Sequence, residues 1–170
     1  MSGAVTLILG GTSSGKTARG LALLGEAPEP RLLVATGRGL DQEFRDRVLD
    51  HKRSRPAGLA VREVLTDLPQ ALMQATTGFR SILADSLDFW LFSCREDGIG
   101  QEMADGLIET LTGWTGPELI LVSCETGLGP AAPDAATRGY IKALGELNQR
   151  VAAAASRVEL VVAGQALRLK

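Results

Sequence analysis

The sequence predicts an α/β fold, a mostly parallel sheet flanked by helices, with residues 1–170 in a single domain. Three observations carry that reading. Short runs that are apolar almost throughout recur along the chain, as in strands covered on both faces of a parallel sheet. Amphipathic stretches separate them, which is the pattern of βαβ units. The first run also leads straight into a small, glycine-rich stretch, GGTSSGKT, where a strand should turn into a helix.

In chain order, VTLILG at 5–10 is the first strand, and residues 15–24 form the helix that follows. LLVAT at 32–36 is the second strand. Leu40, Phe44 and Val48 recur at a spacing of four, so a helix is expected over 40–53. Leu59–Val64 reads as a further strand at a sheet edge. A helix over 67–75 precedes the apolar run 81–86, and another over 101–111 precedes the run 118–125. A long helix over 133–155 and a last strand over 158–164 complete the alternation. Trp90 and Trp114 read as packing residues. No repeat or interdomain linker interrupts the pattern.

Composition narrows the function classes. The chain is 45% hydrophobic and 22% charged, as a soluble globular domain is. A formal net charge of −2 gives no global attraction to nucleic acid or anionic membrane, so no nucleic-acid role is expected. No apolar run is long enough for a membrane span or a signal segment. Cys94 and Cys124 are far apart, with neither metal nor redox spacing, which favours a reducing cytoplasm.

The stretch Gly10, Gly11, Thr12, Ser13, Ser14, Gly15, Lys16, Thr17 has the spacing of the phosphate-binding P-loop. Its glycines let backbone N–H groups turn inward around phosphate oxygens, and the following helix adds its positive end. Lys16 is expected to reach the β and γ phosphates, and the Thr17 hydroxyl to hold Mg²⁺. With the alternation around it, the loop predicts a single-domain P-loop NTPase of RecA-like type.

Such a loop needs a carboxylate on another strand end, and Asp85 closes the run SILAD. The alternative for Asp85 is a helix N-cap, since a helix can open at Leu87. Glu125, at the end of the fourth apolar run, is a second candidate, with a surface carboxylate as its alternative. His51, the sole histidine, follows Val48 by three residues, on the stripe started by Leu40 and Phe44. A packed core histidine is the plain reading of that position. The functional one is a nucleophile: Lys52, Arg53 and Arg55 beside it favour the neutral imidazole and suit a polyphosphate leaving group. Arg138 reads equally as a phosphate contact or a solvated cation.

Four segments carry a wider resemblance: LLVATGRGLDQEFRDRVLDHKRSRP, ILADSLDFWL, ILVSCETGLGPAAP and RGYIKALGELNQRVAAAASRVELVVAGQALRLK. In order and spacing they resemble the bifunctional adenosylcobinamide kinase / adenosylcobinamide-phosphate guanylyltransferases of cobalamin biosynthesis. The resemblance implies two reactions: phosphorylation of adenosylcobinamide with ATP or GTP, then transfer of GMP from GTP to the product through a guanylyl-histidine. It implies that His51, in the His-Lys pair, is the guanylylated residue. It also implies that Glu63 and Asp85 stand at acidic positions of the nucleotide site, and that the enzyme is a homotrimer acting on a corrinoid. The chain departs from the family in places. Ser13 replaces an arginine, Cys124 an asparagine, and Ile141-Lys142 an Arg-Asp pair. A monofunctional small-molecule kinase and a non-catalytic nucleotide sensor are the rival expectations.

Overall fold

The computed structural model describes residues 3–37 and 59–170. The helix expected over 40–53, and with it His51, Lys52, Arg53 and Arg55, lies outside them. The described elements are β1 (Val5–Gly10), α1 (Lys16–Glu26), β2 (Arg31–Thr36), β3 (Leu59–Val64), α2 (Leu68–Ala75), β4 (Ser81–Asp85) and α3 (Leu87–Glu96). They continue with α4 (Gly100–Leu111), β5 (Glu118–Cys124), α5 (Ala135–Ala154), β6 (Arg157–Val162) and β7 (Gln165–Arg168).

The strands form one seven-stranded sheet in the order β3-β2-β4-β5-β1-β6-β7. Every pairing is parallel except that of β7 with β6. This bears out the mostly parallel sheet, and β3 is the edge strand expected. The apolar strands make physical sense here, because alternate residues feed two separate cores. Leu7 and Leu9 face one layer with Leu72, Trp90, Leu107 and Leu147 from α2 to α5. Ile8, Leu83, Ile120 and Val122 face the other, closed by Leu24 of α1. Trp90 is fully buried and its indole N–H donates to the Thr66 carbonyl at 2.6 Å, so it is a packing residue as read.

Two local details differ from the sequence reading. The run over 158–164 is not one strand: it ends at Val162, turns through Ala163 and Gly164, and returns as β7. Both turn residues have positive φ, 51° and 76°, as a two-residue hairpin turn with right-handed strand twist requires. The apolar stretch from Leu87 is a full helix, and its N-cap is Ser86 rather than Asp85.

The long helix α5 is capped at both ends. Asp134 accepts a hydrogen bond from the Thr137 amide at 2.7 Å, the expected N-cap geometry. At the other end the Lys170 ammonium donates to the carbonyls of Ala152, Ala153 and Ala155 at 3.1, 3.1 and 2.6 Å. It thereby satisfies carbonyls that a helix end leaves open. Lys170→Ala is expected to cost about 1 kcal/mol and lower the melting temperature by roughly 3 °C, read by thermal unfolding.

Glu159 of β6 is 2% exposed and carries a bidentate pair with Arg19 of α1 at 2.9 and 3.1 Å, with Arg157 also on its carboxylate. The Arg19 hydrogen bond, and after it Arg157, hold this carboxylate below its ordinary range against the opposing effect of burial. A lowered folded value means its stabilisation is complete above the unfolded value of about 4.3 and is lost as pH falls through the folded one. Glu159→Gln has no such titration. Chemical unfolding at stepped pH should therefore show wild type more stable near neutrality and the two converging below about pH 4.

Candidate active site

The carboxyl edge of the sheet collects the residues that the sequence singled out around the phosphate loop. β1 ends at Gly10, and the loop turns through Ser13 at φ 58° and Gly15 at φ 97° before α1 begins at Lys16. A Cβ on Gly15 would lie 3.2 Å from Gly164 Cα, so backbone angle and close approach both require glycine there. Gly15→Ala is accordingly expected to raise the nucleotide Kd by about tenfold or more, measurable by equilibrium binding.

No side chain caps the start of α1, which leaves its first-turn amides for an anion. Lys16 folds back on the loop, its ammonium donating to the Gly11 carbonyl at 3.1 Å. Ser14 Oγ is buried and has no hydrogen-bond partner among the described residues. A half-buried lysine, free helix amides and an unpaired hydroxyl within one loop are the kind of donor set that suits phosphate oxygens.

The carboxylates fall at different distances along the edge. β5 neighbours β1, with Gly10 opposite Cys124, and the Glu125 amide donates to the Gly10 carbonyl at 3.0 Å. The Glu125 carboxylate accepts from the Gly127 amide at 2.8 Å and shapes the glycine-rich turn. Asp85 is buried at the end of β4, one strand further out and opposite Val122. Thr36 fixes that strand end: its hydroxyl donates to the Ser86 carbonyl at 2.6 Å and accepts from the Ser86 amide at 2.7 Å. Among the described residues no group of three or more His, Cys, Asp or Glu side chains gathers to hold a metal.

Glu63 is not brought to the loop. It is exposed on β3, four strands from β1, about 19 Å at the usual strand spacing. Arg138 is exposed, as the solvated reading has it, and its guanidinium also donates to the carbonyls of Ala132 and Pro133 at 2.9 and 2.7 Å, bracing the approach to α5.

Cys124 at the loop, and the Asp88–Tyr140 pair that interacts with it electrostatically, were not among the site residues the sequence offered. Cys124 is buried next to the loop, with the Thr12 hydroxyl on its sulfur. Burial pushes its thiol up, against the pull of the Lys16 ammonium, so it is protonated near neutrality. Asp88 lies in the first turn of α3, with Oδ1 buried and without a hydrogen-bond partner among the described residues. Tyr140 donates from its hydroxyl to the Asp88 carbonyl at 2.8 Å and meets Phe92 edge-on at 5.9 Å. Burial first, and then the Asp88 charge, push the Tyr140 hydroxyl well up, which keeps it a donor. The spacing of three between Asp85 and Asp88 was the available signal, since it places both near one helix start.

Comparison with known proteins agrees with this architecture. A prototypical ATPase from the type III secretion system of pathogenic bacteria superposes with a TM-score of 0.56 at 12% identity, covering 94% of this chain and 51% of that one. At that identity the likeness concerns the fold alone, and it agrees with the α/β architecture and its mostly parallel sheet. The bifunctional adenosylcobalamin biosynthesis protein CobP of Pseudomonas aeruginosa is 33% identical over 167 residues, 96% of each chain. The corresponding CobU protein of Salmonella typhimurium is 30% identical over 181 residues, covering 96% of this chain and 98% of its own. The family model described as cobinamide kinase / cobinamide phosphate guanyltransferase matches residues 6–169, from β1 to beyond β7. On that near-complete match, this chain belongs to the cobinamide kinase / cobinamide phosphate guanyltransferase family.

Proposed function

We propose that this chain phosphorylates adenosylcobinamide and then transfers GMP from GTP to the resulting phosphate, as a single catalytic domain over residues 1–170. The observation that carries the reading is the donor-rich loop of Gly10, Gly11, Thr12, Ser13, Ser14, Gly15, Lys16 and Thr17 before an uncapped helix start, within a near-complete family match; these residues would receive the phosphates. In the first reaction the corrinoid hydroxyl oxygen bonds to the γ-phosphorus while the bond to the β-bridging oxygen breaks. The nucleoside diphosphate leaves and the hydroxyl proton passes to water. Loop amides and Lys16 take up the charge shifting onto the leaving phosphate. Thr17 and Asp85 would hold Mg²⁺, which neutralises phosphate charge when bound.

In the second reaction an imidazole nitrogen of His51 bonds to the α-phosphorus of GTP and pyrophosphate leaves. The corrinoid phosphate oxygen then bonds to that phosphorus, the N–P bond breaks, and His51 is restored. Lys52, Arg53 and Arg55 steady the triphosphate and its leaving group. Glu63 belongs to this guanylyl half of the site, since β3 follows the His51 segment directly and pairs with β2, which leads into it. Two buried free cysteines fit a reducing cytoplasm, and among the described residues no helix is long and apolar enough to cross a membrane. The assembly is a homotrimer in this reading.

The test supplies adenosylcobinamide with Mg²⁺ and γ-labelled ATP or GTP, then unlabelled GTP. Label should enter adenosylcobinamide phosphate from at least one donor, and adenosylcobinamide-GDP should follow. Tight nucleotide binding with no phosphorylated corrinoid would overturn the proposal in favour of a nucleotide sensor.

A further inference from the structure

Strand β6 and its turn touch the phosphate loop at Gly10, Ser14 and Gly15, and the helix just beyond it at Arg19. At the start, a Cβ on Gly10 would lie 2.7 Å from the Val161 carbonyl oxygen. In the middle, the Gly164 amide donates to the Ser14 carbonyl at 2.8 Å, and Gly15 packs on Gly164 Cα. At the end, one turn beyond Lys16, Arg19 makes its two-pronged pair with the buried Glu159. β6 also pairs with β1 on the side away from β5, with Ile8 opposite Glu159. The loop is therefore bounded on one side by Glu125 and on the other by β6 and its hairpin turn.

We propose that β6 and its turn hold the phosphate loop in its binding shape before nucleotide arrives, with Glu159 as a positioning residue acting through Arg19 on the first turn of α1. This rests on the reading of the loop as the nucleotide site. The physical case is preorganisation. Phosphate oxygens are bound by amides whose directions are set by the rotation of α1 about its axis. A fixed fork between Arg19 and a buried carboxylate sets that rotation, where a single flexible contact would not. Glu159 touches no substrate; its effect is transmitted through Lys16 and Thr17, which the same helical turn carries.

The test measures Kd for Mg²⁺-GTP and Mg²⁺-ATP, well below the melting temperature, on wild type, Glu159→Gln, Arg19→Met, Arg19→Lys and Lys170→Ala. Glu159→Gln and Arg19→Met should each weaken binding by about tenfold, and the double variant little more than either. Arg19→Lys should recover part of the loss. Lys170→Ala, which loosens a helix end away from the loop, should bind as wild type does. In turnover, the two loop variants should raise the nucleotide KM more than they lower kcat. Should Glu159→Gln not fold, Arg19→Met decides alone, since that side chain is one-third exposed. Unchanged Kd in a folded Glu159 or Arg19 variant overturns the positioning role while leaving the nucleotide site intact. Failure of wild type to bind either nucleotide overturns the site reading and the positioning role together.

Discussion

Lys16→Ala is expected to lower both phosphoryl and guanylyl transfer by about 10³-fold while leaving the melting temperature close to that of wild type. The residues from Gly10 to Thr17 contain a single cation, because Ser13 stands where the family carries an arginine. Lys16 begins α1 and rests on the Gly11 carbonyl at 3.1 Å, a contact it can exchange for a phosphate oxygen without disturbing the fold. An alanine there is a good helix residue, so the loss falls on the chemistry and not on the scaffold. The check is kcat/KM for both transfers on one preparation, beside a thermal melt. Loss of one activity with the other intact would contradict a single loop serving both.

Asn148→Ala should be the most damaging loss of a buried polar side chain outside the loop, costing about 3 kcal/mol and lowering the melting temperature by on the order of 10 °C. Asn148 is 5% exposed. Its carbonyl accepts from the Ser123 hydroxyl at 2.6 Å, and its amide donates to the Cys124 carbonyl at 3.0 Å. Truncation leaves a buried hydroxyl and a buried carbonyl without partners, on the strand end that faces Gly10. Denaturant unfolding measures the cost. A change below about 1 kcal/mol would mean that β5 is held at this end by packing alone.

Much of the scaffold was readable because its signals are local. The loop, the strand before it and the helix after it occupy adjacent residues, and each demands its own chemistry. Doubly covered strands such as Leu119–Val122 show themselves as unbroken apolar runs. The turn at Ala163–Gly164 was missed for an equally local reason: alanine is not the residue a left-handed turn position favours, and β7 is exposed along its length. The helix at Leu87–Glu96 was seen only at its opening, since LDFWLFSC is apolar on several faces and lacks a clean stripe.

What the sequence could not carry is pairing across the chain. Arg19 and Glu159 stand 140 residues apart, and neither marks the other. The same holds for Asp88 under Tyr140, and for Cys124 against Thr12. Arg138, read as a phosphate contact or a solvated cation, is exposed and also braces two nearby carbonyls, a role set by loop geometry. Glu63 and the loop lie on the same sheet, yet strand order separates them, and order is a property of topology that spacing does not encode.

The most direct measurement is to incubate the protein with Mg²⁺ and α-labelled GTP, denature it, and map the label by peptide sequencing beside His51→Ala. Guanylyl transfer through His51 gives an acid-labile, alkali-stable adduct on that residue in wild type and none in the variant. Absence of label under conditions where GTP binds, or label on any residue other than His51, would contradict it.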